Sequence, residues 1–78
     1  MLKNEYKFPE RIRELRIERG LTHQQMADIV GKSKRGYINY ESNESVPHLM
    51  VFLEIANYFE VSLDYLIGYS DVRKINKA

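Results

Sequence analysis

Thr22-His23-Gln24-Gln25-Met26-Ala27-Asp28-Ile29-Val30-Gly31-Lys32-Ser33-Lys34-Arg35-Gly36-Tyr37-Ile38-Asn39-Tyr40-Glu41 is the stretch that decides the fold of this 78-residue chain. It carries two short helix signals separated by one glycine. Thr22 has the hydroxyl of an N-cap. Gln25, three residues on, completes a capping box, in which each side chain bonds the other residue's backbone N–H. Gly31 stands where a left-handed residue ends a helix, and Ser33 supplies a second N-cap two residues later. The spacing predicts helices over about 23–30 and 34–41. Two short helices joined by a tight turn containing glycine form a helix-turn-helix, the unit whose second helix enters the DNA major groove.

The second helix opens on Lys34 and Arg35, with Asn39 one turn further on. These side chains bond guanine and adenine edges or phosphates. Arg35 and Asn39, four residues apart, share one face of the helix, away from Tyr37 and Tyr40, which point inward. Cations at a helix N-terminus oppose the helix dipole. Lys34 and Arg35, with Lys32 just ahead, therefore make sense where an anion neutralises them.

Outward from this stretch, helical signals continue on both sides. Pro9 suits a first helical position. Phe8, Ile12 and Leu15 then recur at spacings of four and three until Gly20. Arg11, Arg13, Glu14, Glu18 and Arg19 fall on the opposite, solvent-facing side of that helix. Downstream, Ser42-Asn43-Glu44-Ser45-Val46 reads as a loop. Pro47 opens a fourth helix with the apolar stripe Leu49, Phe52, Leu53, Ala56 and Phe59. Ser62 caps a short fifth helix through Leu63, Leu66 and Ile67, and Gly68 ends it. The expected organisation is an N-terminal arm over 1–8, a domain over 9–68, and a tail over 69–78 in which Tyr69, Val72 and Ile75 recur every three residues. No strand-length alternation or internal repeat is visible. The fold expected is all-α, a compact globule of five helices.

Composition narrows the function. The net charge of +1 hides a strong segregation. Residues 1–40 hold nine Lys or Arg and five acids; residues 41–71 hold six acids and no Lys or Arg; residues 72–78 add three cations. A polyanion is drawn to the first half and repelled by most of the second. There is no cysteine, hence no disulfide framework and no thiolate metal site. The N-terminus lacks the apolar run of a signal peptide, and no apolar stretch approaches the ~20 residues that span a bilayer. A cytoplasmic location is expected, with no membrane partner.

The markers Ile12-Arg13-Glu14-Leu15-Arg16, Gly20-Leu21-Thr22, Met26-Ala27, Gly31 with Ser33, Tyr40-Glu41, Pro47, Ile55-Ala56 and Val61-Ser62-Leu63-Asp64-Tyr65-Leu66-Ile67-Gly68 occur here in order. Together they resemble the lambda-repressor-like, XRE-type helix-turn-helix domain over residues 12–68. The resemblance implies a double-stranded DNA partner and a transcriptional regulator, most often a repressor on a two-fold symmetric operator. It implies base contacts from Lys34, Arg35 and Asn39, and phosphate contacts from Thr22 and His23, with Lys32 and Ser33 nearby on the backbone. It implies that Arg16 and Glu41 turn inward and link helix 1 to the end of helix 3. It also implies a homodimer built around the fifth helix, with Leu63, Leu66, Ile67 and Tyr69 at the seam. Two departures stand out. His23 occupies a position where the family usually has Gln, and Glu44 lies in a loop that is often basic.

Other functions find less support. Two histidines far apart in sequence, His23 and His48, lack metal-ligand spacing. No Gly-rich phosphate loop, nucleophile motif or locally spaced carboxylate pair points to an enzyme, and no cofactor is implied. The alternative from another class is a protein-interaction module, antitoxin- or antirepressor-like, that offers the acidic residues of 41–71 and Ile17 or Ile29 to an unidentified protein partner. Mobility shift of duplex DNA separates the two readings.

Overall fold

A computed structural model describes residues 6–73; the sequence features at 1–5 and 74–78, Ile75 among them, lie outside that range. Five helices follow one another: α1 (Phe8–Glu18), α2 (His23–Val30), α3 (Lys34–Glu41), α4 (Leu49–Phe59) and α5 (Leu63–Ile67). Their ends sit where local chemistry places them. Thr22 and Gln25 form a reciprocal capping box at α2, with Gln25 N–H donating to Thr22 Oγ1 at 3.0 Å and Thr22 N–H to Gln25 Oε1 at 2.8 Å. Gly31 ends that helix at φ +71°, in the left-handed region that residues with a Cβ enter at a cost. Ser33 Oγ accepts from Gly36 N–H at 3.0 Å and opens α3. Ser62 caps α5 in the same way through Tyr65 N–H.

The core draws on every helix. Phe8, Ile12 and Leu15 of α1 meet Met26, Ala27 and Val30 of α2, Tyr37 and Tyr40 of α3, and Tyr65 and Leu66 of α5. Phe8 is wholly buried, with its ring centroid 4.9 Å from Phe52 in an edge-on contact. Helix α1 thus begins at Phe8, one residue before the expected Pro9. The chain ahead of it is tied down as well: Tyr6 packs on the core, and Lys7 N–H donates to Ile67 O at 3.1 Å.

Four expectations need correction. The inner face of α4 is Val51, Phe52, Ile55, Ala56 and Phe59, while Leu49 is 63 % exposed and Leu53 36 %. Pro47 precedes the N-cap His48 instead of opening the helix. The helix turns its Val51–Ile55 edge inward because α2 and α5 pack on that side. Arg11, expected on the solvent side of α1, is buried. It donates to the carbonyls of Tyr65 and Ser70 and pairs with Asp71 at 2.7 Å. Finally, Leu66 lies wholly in the domain's own core and has no surface to offer a second subunit.

Residues 69–73 fold back on the helices. Ser62 N–H donates to Arg73 O at 2.8 Å and its hydroxyl to Val72 O at 3.1 Å. Arg73 bonds Glu18 on α1 at 2.7 Å, and the guanidinium groups of Arg11 and Arg73 lie 4.1 and 5.6 Å from the ring centre of Tyr65. Among the described residues no helix is long and apolar enough to cross a membrane.

Candidate nucleic-acid interface

The turn between α2 and α3 gathers three exposed cations. Lys32, Lys34 and Arg35 all face solvent, and among the described residues none of them has an ion-pair partner. Elsewhere, most guanidinium groups find partners within the domain: Arg11 bonds Asp71, Arg16 bonds Glu41, Arg73 bonds Glu18, and Arg19 lies over Tyr58 and Phe59, while Arg13 is exposed on α1. Three free cations at the start of α3 leave an uncompensated positive surface there, reinforced by the helix N-terminus itself.

The cap hydroxyls belong to the same surface. Thr22 Oγ1 and Ser33 Oγ each accept one helix N–H. A hydroxyl that accepts still has its own O–H to donate, so both are equipped to bond an outside phosphate oxygen. The amides of His23 and Gln24, in the first turn of α2, have no acceptor within the helix. Asn39 is half-buried on α3, and its side-chain amide makes no bond within the described residues; its backbone carbonyl accepts from Glu44 and Ser45 and shapes the loop after α3. A Cβ at Gly36 would lie 3.2 Å from Ser33 Oγ, so a side chain here would crowd the cap. Ile38 is half-buried beside Asn39.

Behind this surface lies a polar cluster built on Arg16 and Glu41. Glu41, whose side chain is 8 % exposed, receives Arg16 Nε on Oε2 at 2.7 Å and Arg16 Nη2 on Oε1 at 3.3 Å. The Tyr37 hydroxyl donates to Oε2 as well. A third Arg16 bond, to Leu21 O at 3.0 Å, fixes the chain entering α2. The bond to Glu41 raises the pKa of Arg16 above its ordinary value against the opposing effect of burial. Burial, then the bond to Glu41, holds the Tyr37 hydroxyl well above the usual tyrosine range. His23 Nε2 stands 3.5 Å from Glu41 Oε1, and its ring tilts against Tyr37 with centroids 6.1 Å apart. The participation of Tyr37 and the contact of His23 with Glu41 carry no sequence signal, because both join residues that spacing alone assigns to different duties.

The fifth-helix residues divide. Leu63 and Ile67 are partly buried and pack on the core edge, Tyr69 is 51 % exposed, and Leu66 is enclosed. Leu53, Ala56, Val61 and Leu63 line a shallow apolar groove between α4 and α5.

Two short capped helices joined through Gly31, in a five-helix globule, define a helix-turn-helix domain. The family described as "Helix-turn-helix domain" matches residues 10–70, and the chain belongs to it, as a domain of the lambda-repressor-like kind. It is 35 % identical over 60 residues to the SPbeta prophage-derived HTH-type transcriptional regulator YonR of Bacillus subtilis, covering 77 % of this chain and 56 % of YonR. It is 39 % identical over 62 residues to the cryptic phage CTXphi transcriptional repressor RstR of Vibrio cholerae, covering 80 % of this chain and 55 % of RstR. The chain thus spans little more than half the length of these curated relatives. A transcriptional regulator from Listeria innocua superposes with a TM-score of 0.80 at 30 % identity, covering 95 % of this chain and 67 % of that one. The P22 c2 repressor, solved in complex with a synthetic operator, superposes with a TM-score of 0.73 at 25 % identity over 81 % of this chain and 96 % of its own.

Proposed function

We propose that this chain is a sequence-specific, double-stranded DNA-binding transcriptional regulator of the cytoplasm, a repressor that binds a palindromic operator as a homodimer. The observation that carries the reading is the group of unpaired cations Lys32, Lys34 and Arg35 at the capped N-terminus of α3, in a domain whose buried guanidinium groups are paired. In this reading Lys34, Arg35 and Asn39 face base edges in the major groove. Thr22, His23, Lys32 and Ser33 hold the phosphates on either side. Arg16 and Glu41 keep α1, the α2 entry and the end of α3 in fixed relation, so that both sets of contacts are made together. Leu63, Ile67 and Tyr69, beside the groove between α4 and α5, form the two-fold seam. The similarity to named phage and prophage regulators supports the repressor role.

Selection of bound fragments from a random duplex pool, followed by affinity measurement on the selected site, tests this. Arg35→Ala is expected to weaken binding by about 1–3 kcal/mol and to erase the preference at one position of each half-site. Uniform weakening on all sequences would assign Arg35 to phosphate instead. If no fragments are enriched and no duplex is retarded at low salt, the protein-contact alternative takes the place of this reading.

A further inference from the structure

The contact between His23 and Glu41 joins a surface residue to a buried carboxylate. We infer that His23 grips the DNA backbone as an imidazolium that bridges a phosphate and Glu41, so that each protomer takes up a proton when it binds DNA. The inference rests on the DNA-binding reading above and adds the protonation state in which one of its contacts is made.

The argument is one of donors and acceptors. Glu41 Oε2 is well supplied, by Arg16 Nε and by the Tyr37 hydroxyl. Oε1 has a single longer bond, from Arg16 Nη2 at 3.3 Å, and faces His23 Nε2 at 3.5 Å. The imidazole is 39 % exposed in the first turn of α2, next to the Thr22 hydroxyl. A neutral imidazole has one N–H and one bare nitrogen. It satisfies either Glu41 or a phosphate; its bare nitrogen turns a lone pair towards whichever anion it does not serve. An imidazolium has two N–H groups and serves both anions at once.

The surrounding charges point the same way. Arg16 from α1 and Glu41 from α3 neutralise each other, and Tyr37 from α3 keeps its proton. On its own helix, the carboxylate of Asp28 lies beyond the ring's turn and is held by Gln24. Free protein therefore presents His23 with one paired anion. Bound DNA adds a second, unpaired one on the other side of the ring. A second anion beside an imidazole favours its charged form over its neutral one. The sign follows from linkage: the complex holds more protons than the separate partners, so affinity rises as pH falls.

The test uses the full chain and a fluorescent duplex of about 20 base pairs and arbitrary sequence at low salt, since phosphate contacts need no particular bases. Anisotropy titrations run from pH about 8.5 down to about 5.5, across the range in which an imidazole titrates. Wild type is expected to tighten several-fold as pH falls, with a limit of about tenfold per pH unit for one proton per site. His23→Gln, which has two amide donors at every pH, is expected to lose that dependence. His48→Gln, at the cap of α4, is expected to keep it. The His23 ring C–H resonance in the intact protein, followed with and without duplex, reports its titration directly and is expected to move to higher pH on binding. Equal pH profiles for wild type and His23→Gln, or a His23 titration unmoved by duplex, would overturn the inference while leaving DNA binding in place. Absence of binding at every pH would remove the DNA-binding reading itself and the inference with it.

Discussion

Arg11 and Asp71 form an ion pair at 2.7 Å, yet the two side chains contribute through different contacts. Asp71 is 89 % exposed. Its carboxyl is held below the ordinary range by the Arg11 bond first and the Lys7 charge second. Exposed pairs of this kind contribute little to stability. Arg11 is buried, and it also donates to the carbonyls of Tyr65 and Ser70 and covers the Tyr65 ring. It thereby satisfies acceptors at the end of α5 and in the segment after it that have limited access to water. Asp71→Asn should therefore leave the unfolding midpoint close to that of wild type. Arg11→Ala should cost about 2–3 kcal/mol, because it strands the Ser70 carbonyl, leaves the Tyr65 carbonyl with the Gly68 N–H alone, and removes packing. Urea unfolding of the two variants checks this; equal losses would assign the role to the ion pair alone.

Helices α2, α4 and α5 each stop at a left-handed residue, and one stop is a poor match to its residue. Gly31 ends α2 and Gly68 ends α5, both with positive φ. Glu60 ends α4 at φ +58°, where a side chain pays a steric penalty that glycine avoids. Glu60→Gly is expected to stabilise the fold by about 0.5–1 kcal/mol. Gly31→Ala is expected to destabilise it by about 1 kcal/mol. A Cβ at Gly31 meets nothing within 4 Å, so that loss would come from the backbone alone. Midpoints of thermal or urea unfolding moving in the same direction for both variants would contradict this account. These stops are legible in sequence at Gly31 and Gly68. At Glu60 the residue type gives no sign of a left-handed conformation; there, Val61 N–H returning to Ala56 O and the burial of Val61 hold the bend.

At the scale of the whole molecule, charge and apolar surface are segregated. A cluster of free cations, Lys32, Lys34 and Arg35, lies at the start of α3 and the turn before it, and the run without Lys or Arg covers α4 and α5. A DNA duplex that approaches the first face leaves the second free for a partner subunit. The proposed two-fold pair would set its recognition helices about 34 Å apart, one turn of DNA. Ile67, partly buried at the rim, and Leu66, enclosed in the core, give the seam a controlled comparison. Ile67→Glu is expected to leave each subunit folded, to dissociate the pair and to convert operator binding into weak half-site binding. Leu66→Glu is expected to unfold the domain, since it puts an unpaired charge in the core. Sedimentation at micromolar concentration, free and on the selected operator, reads the first outcome, and circular dichroism the second. A wild type that stays monomeric in both states would exclude the dimer.

What the sequence determined by itself is the set of local structures: the capping box at Thr22 and Gln25, the Ser33 and Ser62 caps, the glycine stops, and the apolar repeat of α1 with Phe8, Ile12 and Leu15. Each of these is settled within about one helical turn, by bonds between residues three or four apart. The order of these signals also carried the family resemblance, and with it the link between Arg16 and Glu41. Only the tertiary structure decided where faces point. Periodicity shows that α4 has an apolar stripe, but Val51 and Ile55 turn inward and Leu49 outward because of the helices packed beside them. The same distinction buries Arg11 against residues more than fifty positions away and encloses Leu66. It also brings His23, at the start of one helix, within 3.5 Å of Glu41 at the end of another. Contacts between residues distant in sequence depend on how whole helices pack, and no local pattern of residues specifies that.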